Sequence, residues 1–150
     1  MNWKLVIVGG LVFWVVTWIL GFGVTGYLIH DQILDPVYRA NSSFWIPELN
    51  QDPPDMAAVM PFWLIGSLIA SLIYAGFYAK VVACFTGPGW RRGLMFAFCL
   101  VWVYWAFLLG FSGLFNLPTE LWIWWGVEAL ILYLAGGIAM GWAGGKFAGA

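Results

Sequence analysis

The chain has 150 residues, of which 63% are hydrophobic and 9% are charged, and its formal net charge is -1. Soluble domains carry about 25% charged residues, so this composition excludes an ordinary soluble protein, and the absence of a basic patch argues against nucleic-acid binding. We therefore expect an integral membrane protein with a single polytopic domain over residues 1–150.

Four stretches with few or no charged side chains predict four transmembrane helices. About 20 apolar residues cross a hydrocarbon core roughly 30 Å thick. Three long stretches contain no Asp, Glu, Lys or Arg, and the fourth is interrupted only by Glu128. Their length and the absence of period-2 alternation exclude the strands of an outer-membrane barrel. The sequence therefore predicts an all-α bundle of four transmembrane helices, at residues 5–25, 61–83, 92–114 and 119–145.

The first predicted helix carries an aromatic pair and is followed by the only substantial extramembrane segment, an outer loop over residues 26–60. Trp14 and Trp18 are four residues apart and share one helix face. We expect His30, the sole histidine, to be a surface group that caps or anchors the end of this helix. A metal site built from His30 and the nearby acids Asp31 and Asp35 matches no recognised spacing, so no metal site is predicted.

The second and third helices contribute hydroxyl groups and a second aromatic pair. Ser67 and Ser71 share a face of helix 2 at helical spacing. On helix 3, Trp102 and Trp105 are three residues apart. Each tryptophan pair forms a ridge that can clamp a flat apolar molecule such as a quinone, carotenoid or lipid chain, or simply pack against lipid or a neighbouring helix. The identity of any cofactor stays open.

Glu128 is the sharpest functional candidate because it lies within the apolar run "LWIWWGVEALILYLAGG" of helix 4. An ionised carboxylate is costly in hydrocarbon and normally faces the interior of a bundle. Counting about 1.5 Å per residue from the outer boundary predicts a buried polar layer of hydroxyls around this acid, with no ion pair. The layer would serve either helix packing or a proton or cation relay, and it consists of Glu128, Thr17, Ser67, Ser71 and Tyr104.

Helix 4 ends in a stripe of small residues, Gly137, Gly141 and Gly145, at four-residue spacing. Such stripes let another helix approach closely, and the partner helix belongs either to this bundle or to a second subunit. Small residues also recur at an offset of 60 positions between helices 2 and 4, which leaves a weak tandem hairpin repeat as an open interpretation.

The distribution of basic residues predicts the orientation. Positively charged loops tend to stay in the cytoplasm. With the N-terminus inside, five of the six basic residues fall on the cytoplasmic side and only Arg39 falls outside. We therefore predict that both termini are cytoplasmic.

The order of features along the chain resembles a group of small, uncharacterised four-helix bacterial membrane proteins. The features are "GYLIHDQIL" after helix 1, "WLIGSLIASLIYAGFYAK" in helix 2, a Gly-rich turn into helix 3, and "WWGVEALILYLAGG" in helix 4. The resemblance covers nearly the whole chain. It implies a bacterial inner-membrane location and the four-helix plan, but no activity.

The sequence lacks the usual catalytic patterns, such as a Ser-His-Asp set, an HExxH motif or paired carboxylates, and no enzymatic activity is predicted. We expect a non-catalytic accessory or assembly subunit of a membrane protein complex. Its partners would be membrane lipid and other transmembrane subunits or further copies of itself. The alternative is a small transporter, proton-coupled channel or lipid- or quinone-binding protein centred on Glu128.

Overall fold

The structure, a computed structural model, describes residues 2–149, and these residues contain helices and no β-strand. Four helices are long and apolar enough to cross a membrane. This confirms the predicted all-α, four-helix architecture and defines a multi-pass membrane protein. The helices are α1 (Trp3–Ala40), α2 (Met56–Cys84), α3 (Gly89–Ser112) and α4 (Thr119–Phe147).

Helix α1 is much longer than predicted. Its first stretch is α-helical (Trp3–Leu20), its second is π-helical (Gly21–Leu34) and its last is again α-helical (Asp35–Ala40). The prediction that the outer loop begins at residue 26 is therefore wrong, and the chain leaves the helix only at Asn41. Helix propensity in this glycine-containing segment is low, but Ile29 and Leu34 are buried against Leu121 of α4, and such tertiary packing overrides propensity.

Helix α2 also begins earlier than predicted, at Met56 rather than at residue 61. The side chain of Asp55 accepts a hydrogen bond from the Ala58 backbone N–H at 3.2 Å, which caps the helix. Pro61 lies in the second turn of the helix, where its missing N–H removes one backbone hydrogen bond. The segment between α1 and α2 contains only two short 3₁₀ turns, Ser42–Phe44 and Pro47–Asn50.

The four helices pack in the spatial order α2, α1, α4, α3, with α1 and α4 in the centre. Helices α2 and α3 approach each other through the rings of Tyr78 and Phe96, whose centroids lie 5.3 Å apart. The main core holds these two rings together with Leu5, Val6, Phe13, Ala75 and Met140.

The two ends of the described chain meet on one side of the bundle. The side-chain amide of Asn2 donates a hydrogen bond to the carbonyl of Ala148 at 3.0 Å, and Asn2 also caps the first turn of α1. We call this side the terminal face and the opposite side, which carries residues 41–55, the loop face.

The glycine stripe of α4 packs against α3 within the same chain. Gly137 and Gly141 are buried, and a Cβ atom added to Gly93 of α3 would lie 2.8 Å from the Cα of Gly141. Gly145 is exposed, although its Cα lies 3.4 Å from the position of a Cβ on Gly89. Of the two partners that the sequence left open for this stripe, the structure supplies the internal one.

Candidate functional site

Glu128 lies between α1 and α4 and uses both carboxylate oxygens in hydrogen bonds. The hydroxyl of Thr25 donates to Oε1 at 2.7 Å, and Nε2 of His30 lies 2.9 Å from Oε2. The Glu128 side chain is 18% exposed and that of His30 is 33% exposed, while Thr25 is buried. The Glu128 carboxylate is thus largely buried, and its direct partners are an imidazole and a hydroxyl.

The π-helical stretch of α1 explains how Thr25 and His30 reach the same carboxylate. In an α-helix, two residues five apart differ by about 140° around the axis, so they cannot face one neighbour. A π-helix closes its hydrogen bonds between residues five apart, which aligns Thr25 with His30. Gly26 fits this winding because it lacks a Cβ, which would lie 2.7 Å from the carbonyl oxygen of Gly21.

The network continues from His30 toward the loop face. Nδ1 of His30 lies 2.7 Å from the hydroxyl of Tyr38, and the two rings are stacked. The indole N–H of Trp125 donates to the same hydroxyl at 3.0 Å, and the indole N–H of Trp45 donates to the Tyr38 backbone carbonyl at 3.0 Å. Two tryptophans from separate segments therefore hold Tyr38, which in turn orients the imidazole.

One arrangement of protons satisfies every contact in this network. The indole of Trp125 donates to Tyr38, the Tyr38 hydroxyl donates to Nδ1 of His30, and Nε2–H donates to the carboxylate of Glu128. When a further proton binds at Nδ1, the imidazolium donates to Tyr38 and remains paired with the carboxylate. The network therefore has two states that differ by one proton, and in the second the Tyr38 hydroxyl hydrogen no longer points at His30.

Three hydroxyls of the predicted polar layer have partners other than Glu128. Thr17 donates to the backbone carbonyls of Phe13 and Trp14. Ser71 donates to the carbonyl of Ser67 at 2.7 Å, and Ser67 donates to the carbonyl of Leu64. These groups satisfy helix backbones instead of surrounding the acid.

Tyr104, the fourth predicted partner, lies within electrostatic range of Glu128 but has no hydrogen bond to it among those the structure shows for the acid. Its ring contacts Tyr133 of α4 edge to face, with centroids 5.7 Å apart. Tyr133 interacts with the Glu128 charge as well. Tyr104 is therefore part of an aromatic contact between α3 and α4.

The expectation that Glu128 would have no basic partner is wrong, and so is the expectation that His30 only caps helix 1. Both followed from ending helix 1 near residue 25 and counting an α-helical rise beyond it. A π-helix places more residues in each turn, so His30 lies closer to the level of Glu128 than that count allowed. Thr25 and His30 are five residues apart in a glycine-rich segment, but this spacing alone does not distinguish a π-helix from a loop.

The four tryptophans of the predicted aromatic ridges have distinct roles. The indoles of Trp14 and Trp18 both donate to the hydroxyl of Ser67, at 2.9 and 2.7 Å, which joins α1 to α2. Trp105 donates to the carbonyl of Gly126 at 3.0 Å, which joins α3 to α4. Trp102 contacts the Trp105 ring and is largely exposed on the outside of the bundle.

Two mainly apolar cavities lie between the helices. The larger, about 270 Å³, lies between α1, α2 and α4, and its wall includes Trp18, Thr17, Ser67 and Ser71. The smaller, about 180 Å³, lies between α2, α3 and α4. Tyr74 and Tyr133 line both cavities, so these two rings form the wall between them.

The described residues contain no group of three or more His, Cys, Asp or Glu side chains arranged to hold a metal ion. Comparison with known proteins adds no assignment: no protein-family model matches the chain, and neither the curated proteins nor the solved structures include a significant match. The candidate site is therefore defined by its own geometry, a carboxylate, an imidazole and a phenol in one hydrogen-bonded series.

Proposed function

We propose that this protein is a small proton-translocating protein of the bacterial inner membrane, with Glu128 and His30 as its proton-binding pair. The observation that carries the proposal is the hydrogen-bonded series from Thr25 through Glu128 and His30 to Tyr38. Carboxylates and histidines are costly to place in hydrocarbon, so they are rare there and mark functional sites such as proton relays. Histidine also changes its charge close to physiological pH.

The position of the network supports a carrier rather than an open pore. Glu128 lies nine residues after the first residue of α4, which corresponds to about 13 Å along the helix. His30 and Tyr38 extend the series toward the loop face, whereas the packed core around Phe13 and Met140 fills the bundle toward the terminal face. A proton is therefore received from the loop face, and its onward passage requires a rearrangement of the helices.

The proposed orientation places the terminal face in the cytoplasm. Lys4, Lys80 and Lys146 lie at helix ends on the terminal face, together with Arg91 and Arg92 in the first turn of α3. Arg39, the one basic residue on the loop face, is paired with Asp35 at 2.8 Å. Under the positive-inside rule this asymmetry favours cytoplasmic termini.

Proton flux into liposomes tests the proposal. The purified protein is reconstituted into vesicles that contain a pH-sensitive dye, and a pH gradient is imposed. We expect the native protein to dissipate the gradient faster than protein-free vesicles. Glu128→Gln, which keeps the shape of the side chain but removes its charge, should lower the rate at least about tenfold, in line with the loss of a positioned proton-transfer group.

The matched control is Glu120→Gln, which makes the same change at the start of α4, outside the network. It should leave the flux unchanged. Equal rates for native protein and Glu128→Gln, or a native rate no faster than protein-free vesicles, would contradict the proposal. Size-exclusion profiles of all three proteins establish that they are folded.

A second candidate function is an accessory subunit of a membrane complex. It is favoured by the outer surface of α2, which packs mainly on α1 and presents a continuous row of exposed apolar residues. These are Phe62, Ile65, Ile69, Ile73 and Phe77. Native gel electrophoresis after extraction in mild detergent tests this candidate, which requires that the protein co-migrate with a larger complex. Ile69→Trp should disrupt that complex. The control, Ile123→Trp on the exposed side of α4, should leave it intact.

A further inference from the structure

The smaller cavity has aromatic walls on three helices. Tyr74 comes from α2, Tyr104 and Phe107 come from α3, and Tyr133 comes from α4. The centroid of the Tyr133 ring lies 5.8 Å from that of Tyr74 and 5.7 Å from that of Tyr104. The remaining wall is aliphatic, from Leu100 and Val103.

One acidic group acts on the wall of this cavity. Glu128 does not line the cavity, but two residues that do, Tyr104 and Tyr133, are within electrostatic range of its carboxylate. The basic residues of α2, α3 and α4 lie at the helix ends on the terminal face, away from this cavity.

We propose that this cavity, defined by Tyr74, Tyr104, Phe107 and Tyr133, binds a lipophilic organic cation, and specifically a quaternary ammonium group. Aromatic faces attract cations through their quadrupole, and groups of aromatic rings are the usual means of recognising quaternary ammonium ligands. The Glu128 carboxylate, within electrostatic range of Tyr104 and Tyr133, supplies the opposite charge that such a ligand needs when it leaves water. A cavity volume of about 180 Å³ corresponds to roughly six water molecules, which is enough for a small substituted ammonium.

This inference rests on the proposed proton translocation and names a ligand that competes with the proton. The charged and titratable groups facing Glu128 are His30 and Tyr38 from α1, Tyr104 from α3, and Tyr133 from α4 itself. A cation in this cavity repels a proton on His30, so binding of the cation and protonation of the imidazole oppose each other. The cation and the proton therefore compete.

Equilibrium dialysis with radiolabelled benzyltrimethylammonium tests the inference. The full-length protein in detergent micelles is compared with empty micelles. We expect saturable binding that weakens as pH falls, because the proton competes. An excess of neopentylbenzene, which has the same shape without the charge, should fail to displace the label.

Variants locate the binding site. Glu128→Gln should raise the dissociation constant at least about tenfold, and Tyr104→Leu and Tyr133→Leu about three- to tenfold each. Tyr27→Leu, the same substitution at an exposed position of α1, should leave it unchanged. Should Tyr133→Leu fail to fold, Tyr104→Leu on the half-buried side of α3 still decides the outcome.

Absence of saturable binding, displacement by neopentylbenzene, or equal binding by native protein and both Glu128→Gln and Tyr104→Leu would overturn the inference. Its failure is distinguishable from failure of the proposed function. Proton flux that depends on Glu128 without cation binding would refute the cation site alone. Equal proton flux in native protein and Glu128→Gln would refute the proton-binding role itself.

Discussion

Some single polar side chains in this bundle make hydrogen bonds that an apolar side chain could not make. Ser67 is the clearest case, because its hydroxyl accepts the indole N–H groups of both Trp14 and Trp18 and donates to the Leu64 carbonyl. Tyr38 plays a comparable part at the loop face, where it joins His30 to Trp125. Each hydroxyl serves several partners, so its removal leaves more than one polar group unsatisfied.

We expect Ser67→Ala to destabilise the protein by about 1–3 kcal/mol, because it leaves two indole N–H groups without an acceptor in an apolar environment. The measurement is the free energy of unfolding in mixed detergent micelles. Ser112→Ala is the matched control, since that hydroxyl donates only to the Leu109 carbonyl of its own helix. A loss no larger than that of the control would show that the Ser67 contacts contribute little.

Among the helices, α1 positions two of the site's side chains, because it changes from α-helical to π-helical along its length. Single π turns are common at functional sites, whereas long π stretches are rare. Here the π-helical stretch Gly21–Leu34 brings Thr25 and His30 onto the face that meets Glu128. The helix geometry and the proton-binding pair are thus coupled, and disturbing the first should disturb the second.

Gly26→Ala should disrupt the π-helical stretch, because the new Cβ would lie 2.7 Å from the Gly21 carbonyl oxygen. His30 then turns away from Glu128, and proton flux in liposomes should fall toward the level of Glu128→Gln. Gly23→Ala is the control, since a Cβ there has no neighbour within 4 Å. If both variants show the native proton flux, the site does not depend on the π-helical winding of α1.

The contact between α3 and α4 is tested by a second pair of glycines. Gly93→Ala places a methyl group against the Gly137 carbonyl and 2.8 Å from the Cα of Gly141, so we expect a loss of about 1–3 kcal/mol from overpacking. Gly76→Ala on α2 meets no atom within 4 Å and should leave stability unchanged or slightly higher. Thermal unfolding followed by size exclusion measures both. Equal melting temperatures would contradict the close approach of the two backbones.

At the scale of the whole molecule, both chain ends lie on one face and the network opens toward the other. The distribution of basic residues favours a cytoplasmic terminal face. Cys84 ends α2 on that face and is exposed, so it reports the orientation directly. The other cysteine, Cys99, lies within α3.

In a Cys99→Ser background, we expect a membrane-impermeant maleimide to label Cys84 in inverted vesicles and to spare it in intact spheroplasts. The cause is the predicted cytoplasmic position of the α2–α3 turn. A cysteine introduced at Asn50, in the exposed segment on the loop face, should show the opposite pattern. Labelling of Cys84 from outside would reverse the proposed orientation and with it the direction of proton entry.

The sequence predicted the four-helix architecture because long apolar runs have few alternatives in a membrane. It also singled out Glu128 from its position in such a run. It did not predict the partners of Glu128, because the alignment of Thr25 with His30 depends on π-helical winding, and no local pattern distinguishes that winding from a glycine-rich loop. The use of Gly137 and Gly141 inside the bundle was similarly undecided, since a small-residue stripe does not identify its partner helix.

Nitrogen NMR of the single histidine tests the central claim most directly, because selective labelling of His30 with ¹⁵N yields signals from one ring only. In nanodiscs, the account predicts that the neutral ring carries its proton on Nε2, donated to Glu128, while Nδ1 accepts from Tyr38. It also predicts that Glu128→Gln changes the Nε2 signal, because an amide replaces the carboxylate that accepts its proton. A ring that shows the tautomer mixture of free histidine, unchanged by Glu128→Gln, would contradict the claim that these two residues form one proton-binding site.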